Sequence, residues 1–333
     1  MVRKPLKGNK KVLNKILVIQ TAFIGDVILA TALIEKLHAF YPEAKIDFLV
    51  RSGNESLVKD HPFINSVIVW QKKENKYKNL FRIAKEVRQS NYDYVVNLQR
   101  FMASGFLTWR SGAKHRVGFK KNPLALFYTE KFPHEIGNGQ HEVERNQVLI
   151  EKLTDGVALR PKLHPSPTNY SKIKNLDLDS QYIVIAPSSV WFTKQVPQSK
   201  VIELIKKQPD NLQICLIGAP SDFDYCESIR TETKSKNVIN LSNKLNLLDS
   251  AVLIEKAQMS YVNDSAPLHI ASAMNANVTA FFCSTIPEFG FGPLSDQSKI
   301  IQSKEKLDCR PCGIHGFKVC PKGHFKCGVE LEV

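Results

Sequence analysis

The chain has 333 residues, 43% hydrophobic and 23% charged, enough for two domains with buried cores and incompatible with a disordered chain. Its net charge of +14 is unevenly spread: residues 1–170 carry +13 and residues 171–333 carry +1. The basic half suits a polyanionic partner (nucleic acid, an acidic membrane surface, a phosphorylated glycan or lipid), or is simply a solvated surface.

A basic leader precedes "KILVIQTAFIGDVILATALIEKL", residues 15–37. Read as a signal anchor, this run would place Asp26 near the bilayer centre, at a cost of ~3 kcal/mol. Gln20, Thr21, Gly25 and Thr31 weaken it further, and no small-residue cleavage site follows. A buried strand, a turn and an amphipathic helix explain it better, which implies a cytoplasmic protein. Strands are expected at Ile16–Gln20, Ile46–Val50, Ser66–Trp70 and Tyr94–Leu98. Helices are expected at Asp26–Phe40, Asn79–Gln89 and Glu142–Leu153, the first burying Leu29, Leu33 and Leu37. Continuous apolar strands between helices indicate a parallel sheet covered on both faces.

Residues 159–181 carry three prolines and little apolar periodicity, and read as a linker. The alternation then resumes with "YIVIAPSS" (182–189), a strand running into a loop, helix Gln198–Lys207, strand "LQICLIGAP" and a helix from about Ser221. Strand Val238–Leu241, helix Leu247–Lys256, strand Met259–Val262, helix Ser265–Met274 and strand Val278–Phe282 complete it. The expected architecture is α/β, two doubly wound Rossmann-like domains facing a cleft, spanning 1–165 and 180–333.

In such sheets ligands sit beyond the C-terminal strand ends. The loop "TAFIG" after the first strand therefore places Asp26 at the mouth of its domain, with Thr21 and Gly25 in the loop. Asp26 is either a helix cap or a general base taking a proton from a sugar hydroxyl. The loop lacks G-x-G-x-x-G and G-K-[ST], which argues against a dinucleotide fingerprint or a P-loop. In the second half, "NDSAPLHIASAM" offers a strand, a polar turn and a helix start that can hold an anion. Ser265 can donate its hydroxyl, His269 shares its face, and Asp264 is either a cap or a sugar ligand. In "APSSVWFTKQVP", Ser188 and Ser189 are donors. Lys194 is either an ordinary surface lysine or a mobile charge for a leaving diphosphate. Gly218 in "GAP" opens a narrow passage or makes a turn.

Together "ILVIQTAFIGDVILATALIEKL", "APSSVWFTKQVP", "LIGAPSD", "NLSNKLNLLDSAVLIEKAQ" and "NDSAPLHIASAMNANVTAFF…GP" resemble the motifs of glycosyltransferase family 9, the lipopolysaccharide heptosyltransferases, over roughly residues 15–327. The resemblance implies a GT-B fold and an ADP-heptose donor held by the second domain. It implies inversion at the anomeric carbon without a required cofactor, and an anionic glycolipid acceptor bound by the first domain. The protein would then be peripheral at the inner membrane; separately, basic residues without an aromatic-interleaved patch argue against nucleic acid as the partner. By position, the family's base falls on Asp26, its phosphate-binding lysine on Lys194, and its D-[ST]-G-x-x-H motif on Asp264, Ser265, Ala266 and His269. Two positions depart from the pattern. Val196 replaces a tryptophan, and Ala266 replaces a glycine and so cannot readily take φ > 0. A nucleotide-sugar epimerase of the same architecture is the rival reading.

The C-terminus holds Cys309, Cys312, Cys320 and Cys327, with His315 and His324 between them. A structural Zn²⁺ is one reading of this spacing; free thiols or a disulfide are the other.

Overall fold

The computed structural model describes residues 13–333; most of the basic leader lies outside them. Two six-stranded sheets organise the chain. The first contains β1 (Lys15–Ile19), β2 (Lys45–Arg51), β3 (Ser66–Trp70), β4 (Tyr94–Asn97), β5 (His115–Phe119) and β6 (Glu130–Phe132). They are all parallel, in the order β3-β2-β1-β4-β5-β6. The second contains β7 (Tyr182–Ala186), β8 (Gln213–Leu216), β9 (Val238–Asn240), β10 (Met259–Asn263), β11 (Val278–Phe282) and β12 (Ser298–Gln302). Its order, β12-β11-β10-β7-β8-β9, repeats the first arrangement in its own numbering, again all parallel. Each sheet reverses strand order beside its first strand, at β1/β4 and at β7/β10, the switch points where doubly wound sheets bind ligands.

The central strands are apolar on both faces because helices cover both. Ile16, Leu17, Val18 and Ile19 are fully buried. Helix α1 (Ile24–Phe40) starts two residues earlier than expected and is not amphipathic in the simple sense. Residues Val27–Leu37 are buried all round, Glu35 and Lys36 included, and Lys36 pairs with Asp155. The other helices of this half are α2 (Lys76–Gln89), α3 (Met102–Arg110) and α4 (Glu142–Gln147), the last passing into a 3₁₀ turn at Val148–Ile150.

The proline-bearing stretch read as linker contains a helix, α5 (Pro167–Lys174). Pro167 occupies the first helical turn, where its missing N–H costs nothing, and Ser166 and Asn169 form a capping box. Then come α6 (Gln198–Lys206), α7 (Phe223–Thr233), α8 (Leu247–Lys256), α9 (Ala266–Met274) and the short α10 (Lys326–Val329). Helix α5 is tied to α8 through Asp249, which accepts from Asn169 at 2.7 Å and Lys172 at 2.6 Å while closing the Asn246 capping box.

The chain divides into two compact units. The first runs to Ile136 and resumes at Glu142–His164; the second takes Gly137–His141 and Pro165–Val333. Among the described residues no helix is long and apolar enough to cross a membrane.

Candidate active site

At the switch point of the first sheet, the loops after β1 and β4 are stitched together by one side chain. Gln99 accepts from Thr21 Oγ1 at 2.5 Å and donates to the Ala22 carbonyl at 2.7 Å. Thr21 is thus a buried structural link rather than an open loop residue. The chain enters α1 at Phe23, and Asp26 is the third helical residue. Its Oδ2 accepts from the Phe23 N–H at 2.8 Å, closing a capping box. Gly25 lies inside the first helical turn rather than in the loop before it, and is not in the left-handed region.

Asp26 keeps a partly exposed surface, but protein atoms close around it. Desolvation pushes its pKa up from 3.8 to about 6. The Phe23 N–H opposes this, the charge of Glu142 adds to it, and Arg100 opposes it weakly. A carboxylate in this state is ionised at neutral pH yet basic enough to accept a proton. The surface beside it is aromatic and cationic. Phe23 is exposed with Arg51 over its ring, and the β4 loop continues through Arg100 to exposed Phe101 and Met102.

In the second unit the equivalent stitch is Asn263, at the end of β10. Its amide donates to the carbonyls of Ala186, Pro187 and Ser188, and its Oδ1 accepts from Val196 N–H at 3.0 Å. The loop after β7 is thereby folded back so that Lys194 meets Asp264 at 2.7 Å. This pairing sets Lys194 apart from a freely solvated surface lysine. Its side chain is only 14% exposed. Asp264 is buried and also accepts from Thr285 Oγ1 at 2.7 Å, so it holds Lys194 rather than presenting itself as a cap. Ser188 Oγ donates to Asp222 Oδ2 at 2.8 Å, the oxygen that also accepts from Ala219 N–H. A Cβ on Gly218 would lie 2.8 Å from Asp222 Cβ, so the glycine is needed for this close approach. Ser189 N–H donates to Gln195 Oε1 at 3.1 Å, and the Ser189 hydroxyl oxygen accepts from the Trp191 N–H.

Helix α9 starts at the end of β10 with Ser265 as an extended N-cap and Ala266 at the first helical position. Ala266 therefore has no need of φ > 0, and replacing glycine there carries no backbone penalty. His269 is buried in the first turn, its ring edge-on to Phe291. Gln99, Asp222 and Asn263 escaped the sequence reading because amides and carboxylates that fasten loops carry no spacing signature.

A further element reaches this site from the cysteine-bearing tail. Phe317 N–H donates to Thr193 Oγ1 at 2.7 Å, and the Phe317 carbonyl accepts from Thr193 N–H. Gly316, at φ +73°, lies so close that a Cβ would stand 2.8 Å from Thr193 Oγ1 and 3.0 Å from Lys194 Cγ. The tail thus buttresses the lysine turn.

Residues 80–315 match glycosyltransferase family 9 (heptosyltransferase). The chain belongs to this family, and it is a glycosyltransferase. It is 27% identical to lipopolysaccharide heptosyltransferase 3 of Escherichia coli K12 over 282 residues, 78% of this chain and 80% of that one. The structure of E. coli ADP-heptose LPS heptosyltransferase II superposes with a TM-score of 0.77 at 23% identity, over 90% of this chain and 95% of that one. E. coli heptosyltransferase WaaC with ADP gives 0.70 at 21% identity, over 86% and 93%. The fold is GT-B. Family membership also decides for a transferase over the epimerase reading.

No disulfide joins the four tail cysteines, and Cys309 Sγ lies 3.9 Å from His324 Nε2. Burial and neighbouring thiols raise Cys327 to about 11 and also raise Cys312. Among the described residues, the one group of three or more His, Cys, Asp or Glu with ligand atoms within 4.8 Å of one another is Glu35, His61 and His164.

Proposed function

We propose that the protein transfers a heptose, or a closely related sugar, from a nucleotide-diphosphate sugar of the ADP-heptose type to an anionic lipopolysaccharide inner core, with inversion at the anomeric carbon. Asp26 takes the proton from the acceptor hydroxyl as that oxygen attacks. One in-line displacement breaks the bond from the anomeric carbon to the diphosphate and inverts the centre. The departing diphosphate is met by Lys194, by the Ser188 and Ser189 loop, and by the start of α9 with Ser265 and Ala266. Asp264 and Asn263 hold that loop in place, and His269 lines the helix start. The observation that carries this reading is the Lys194–Asp264 pair at the switch point of the second sheet.

The acceptor assignment is supported by the first unit, where exposed Phe23, Phe101 and Met102 lie with Arg51 and Arg100 around Asp26. Such a mixture suits a phosphorylated glycolipid, whose anionic groups pair with arginine while its apolar portion meets aromatic rings. Thermal-shift titration with ADP, other nucleoside diphosphates and their sugars tests the donor class. Selective stabilisation by adenosine compounds is expected, and a response confined to uridine or guanosine compounds would contradict it. NMR of the product anomer tests inversion. Asp26→Ala should abolish turnover and leave donor binding intact; full turnover in that variant would remove the base assignment.

A further inference from the structure

Glu35, His61 and His164 are far apart in sequence and come together in the first unit, away from Asp26. Glu35 projects from α1 nine residues beyond Asp26, about 14 Å along the helix axis. His61 lies in the β2–β3 connection, and His164 is the last residue of the first unit. Glu35 Oε1 is 3.0 Å from His164 Nε2 and 3.5 Å from His61 Nε2. The two imidazoles meet edge to face with centroids 4.5 Å apart. With ligand bonds of about 2.0–2.2 Å, donor atoms around a tetrahedral ion lie roughly 3.3–3.5 Å from one another, close to the spacing found.

Two further observations point to a ligand. His61 is 4% exposed, and its Nε2 faces the cluster while making no hydrogen bond. A buried ring nitrogen without a hydrogen-bond partner is uncommon and costly. Among the described residues the buried Glu35 carboxylate pairs with one lysine only, Lys162, at 3.6 Å and 58% exposed, which can swing into solvent. Phe63, stacked on His38 and edge-on to both His61 and His164, walls the cluster with apolar surface. One contact opposes the assignment. Phe63 N–H approaches His61 Nδ1 at 3.3 Å, a long hydrogen bond that is given up when the ring proton moves from Nε2 to Nδ1.

We propose that Glu35, His61 and His164 bind a divalent transition-metal ion of the Zn²⁺ class, with water completing the shell. The site is structural. It fastens the end of the first unit, at His164, to α1 and the β2–β3 connection. It is independent of the transferase reading, since none of its ligands belongs to the donor or acceptor machinery.

The test uses the full chain, stripped with EDTA. Zn²⁺ at about one hundred times its Kd should raise Tm by on the order of 5–10 °C. Co²⁺ should give visible d–d absorption without the intense thiolate charge-transfer band that cysteine ligands produce. His164→Ala, at a position 30% exposed and so tolerant of truncation, should lose both responses. Glu35→Gln should weaken both. Cys309→Ser with Cys312→Ser should leave both intact. No metal response in the stripped wild type overturns the site whatever the variants do. So does a response undiminished in His164→Ala, or one lost in the cysteine variant, which would move the metal to the tail.

Discussion

At Asp26 the oxygen that closes the capping box accepts the Phe23 N–H, so helix capping and base chemistry draw on one carboxylate. Its pKa of about 6 fixes the sign of two pH effects. The base must be ionised, so kcat/KM should rise with pH up to about 6 and then level off. Asp26→Asn should lose that limb and about 10²–10⁴-fold in rate. Stability should run the other way. Between 3.8 and about 6 the folded state binds the proton more tightly than the unfolded chain, so the Asp26 contribution declines as pH rises through that window. Asp26→Asn should flatten this slope in a series of pH-dependent melts; an unchanged slope would mean that the carboxyl is not perturbed. Lys194 sets a second test. Lys194→Met leaves Asp264 buried without its cation and should cost about 3 kcal/mol. Adding Asp264→Asn should recover much of that stability while nucleotide affinity stays low. Recovery of affinity as well would show that Lys194 does not touch the diphosphate.

Among the elements, those with continuous apolar runs or clean caps were readable from sequence: β3, α8 and β11 fall where expected. Helix α3, "MASGFLTWR", mixes small and aromatic residues without a clear face, and strands "HRVGF", "EKF" and "SKIIQ" are too short and too charged to stand out. The break between the two units falls inside the stretch read as linker, but helix α5 within it went unread because prolines that break helix interiors are welcome in a first turn, and because Asp249, which fastens α5, is distant in sequence. In the candidate site the motif residues were legible, but their use was not. The sequence named Lys194 and Asp264 but not their pairing, and nothing in its pattern placed Gly316 against the lysine turn. That buttress is testable. Gly316→Ala forces a Cβ into the left-handed region and toward Thr193 Oγ1. It should cost about 1–2 kcal/mol and loosen the turn that presents Lys194. Nucleotide affinity should fall with it, and a variant that loses stability while binding nucleotide normally would separate the tail from the site.

Over the whole molecule, the same strand order is used twice, while nearly all the net charge sits in the first half. On the proposed function, a near-neutral second half suffices for one diphosphate, and the excess in the first half suits a larger anionic partner. Helices α2 and α3 pack together and leave Tyr77, Phe81, Met102 and Trp109 exposed, with Leu126 exposed nearby. Phe106 meets both Phe81 and Trp109 edge to face, and Trp109 stacks on Phe127. Between residues 72 and 88 lie Lys72, Lys73, Lys76, Lys78, Arg82, Lys85 and Arg88. Apolar rings set among cations suit an anionic bilayer surface, where each basic residue contributes about 1 kcal/mol and the rings enter the headgroup layer. The two terms separate experimentally. Partition onto vesicles rich in phosphatidylserine should exceed that onto phosphatidylcholine vesicles and fall as salt rises, since only the Coulombic part is screened. Phe81→Ser should remove roughly 1.5–3 kcal/mol of burial, tenfold or more in partition, at low and high salt alike. It should slow transfer to a membrane-embedded acceptor and spare transfer to a short soluble one. Equal partition onto neutral vesicles, or a Phe81→Ser variant that binds as well as the parent, would leave the basic half without a membrane role.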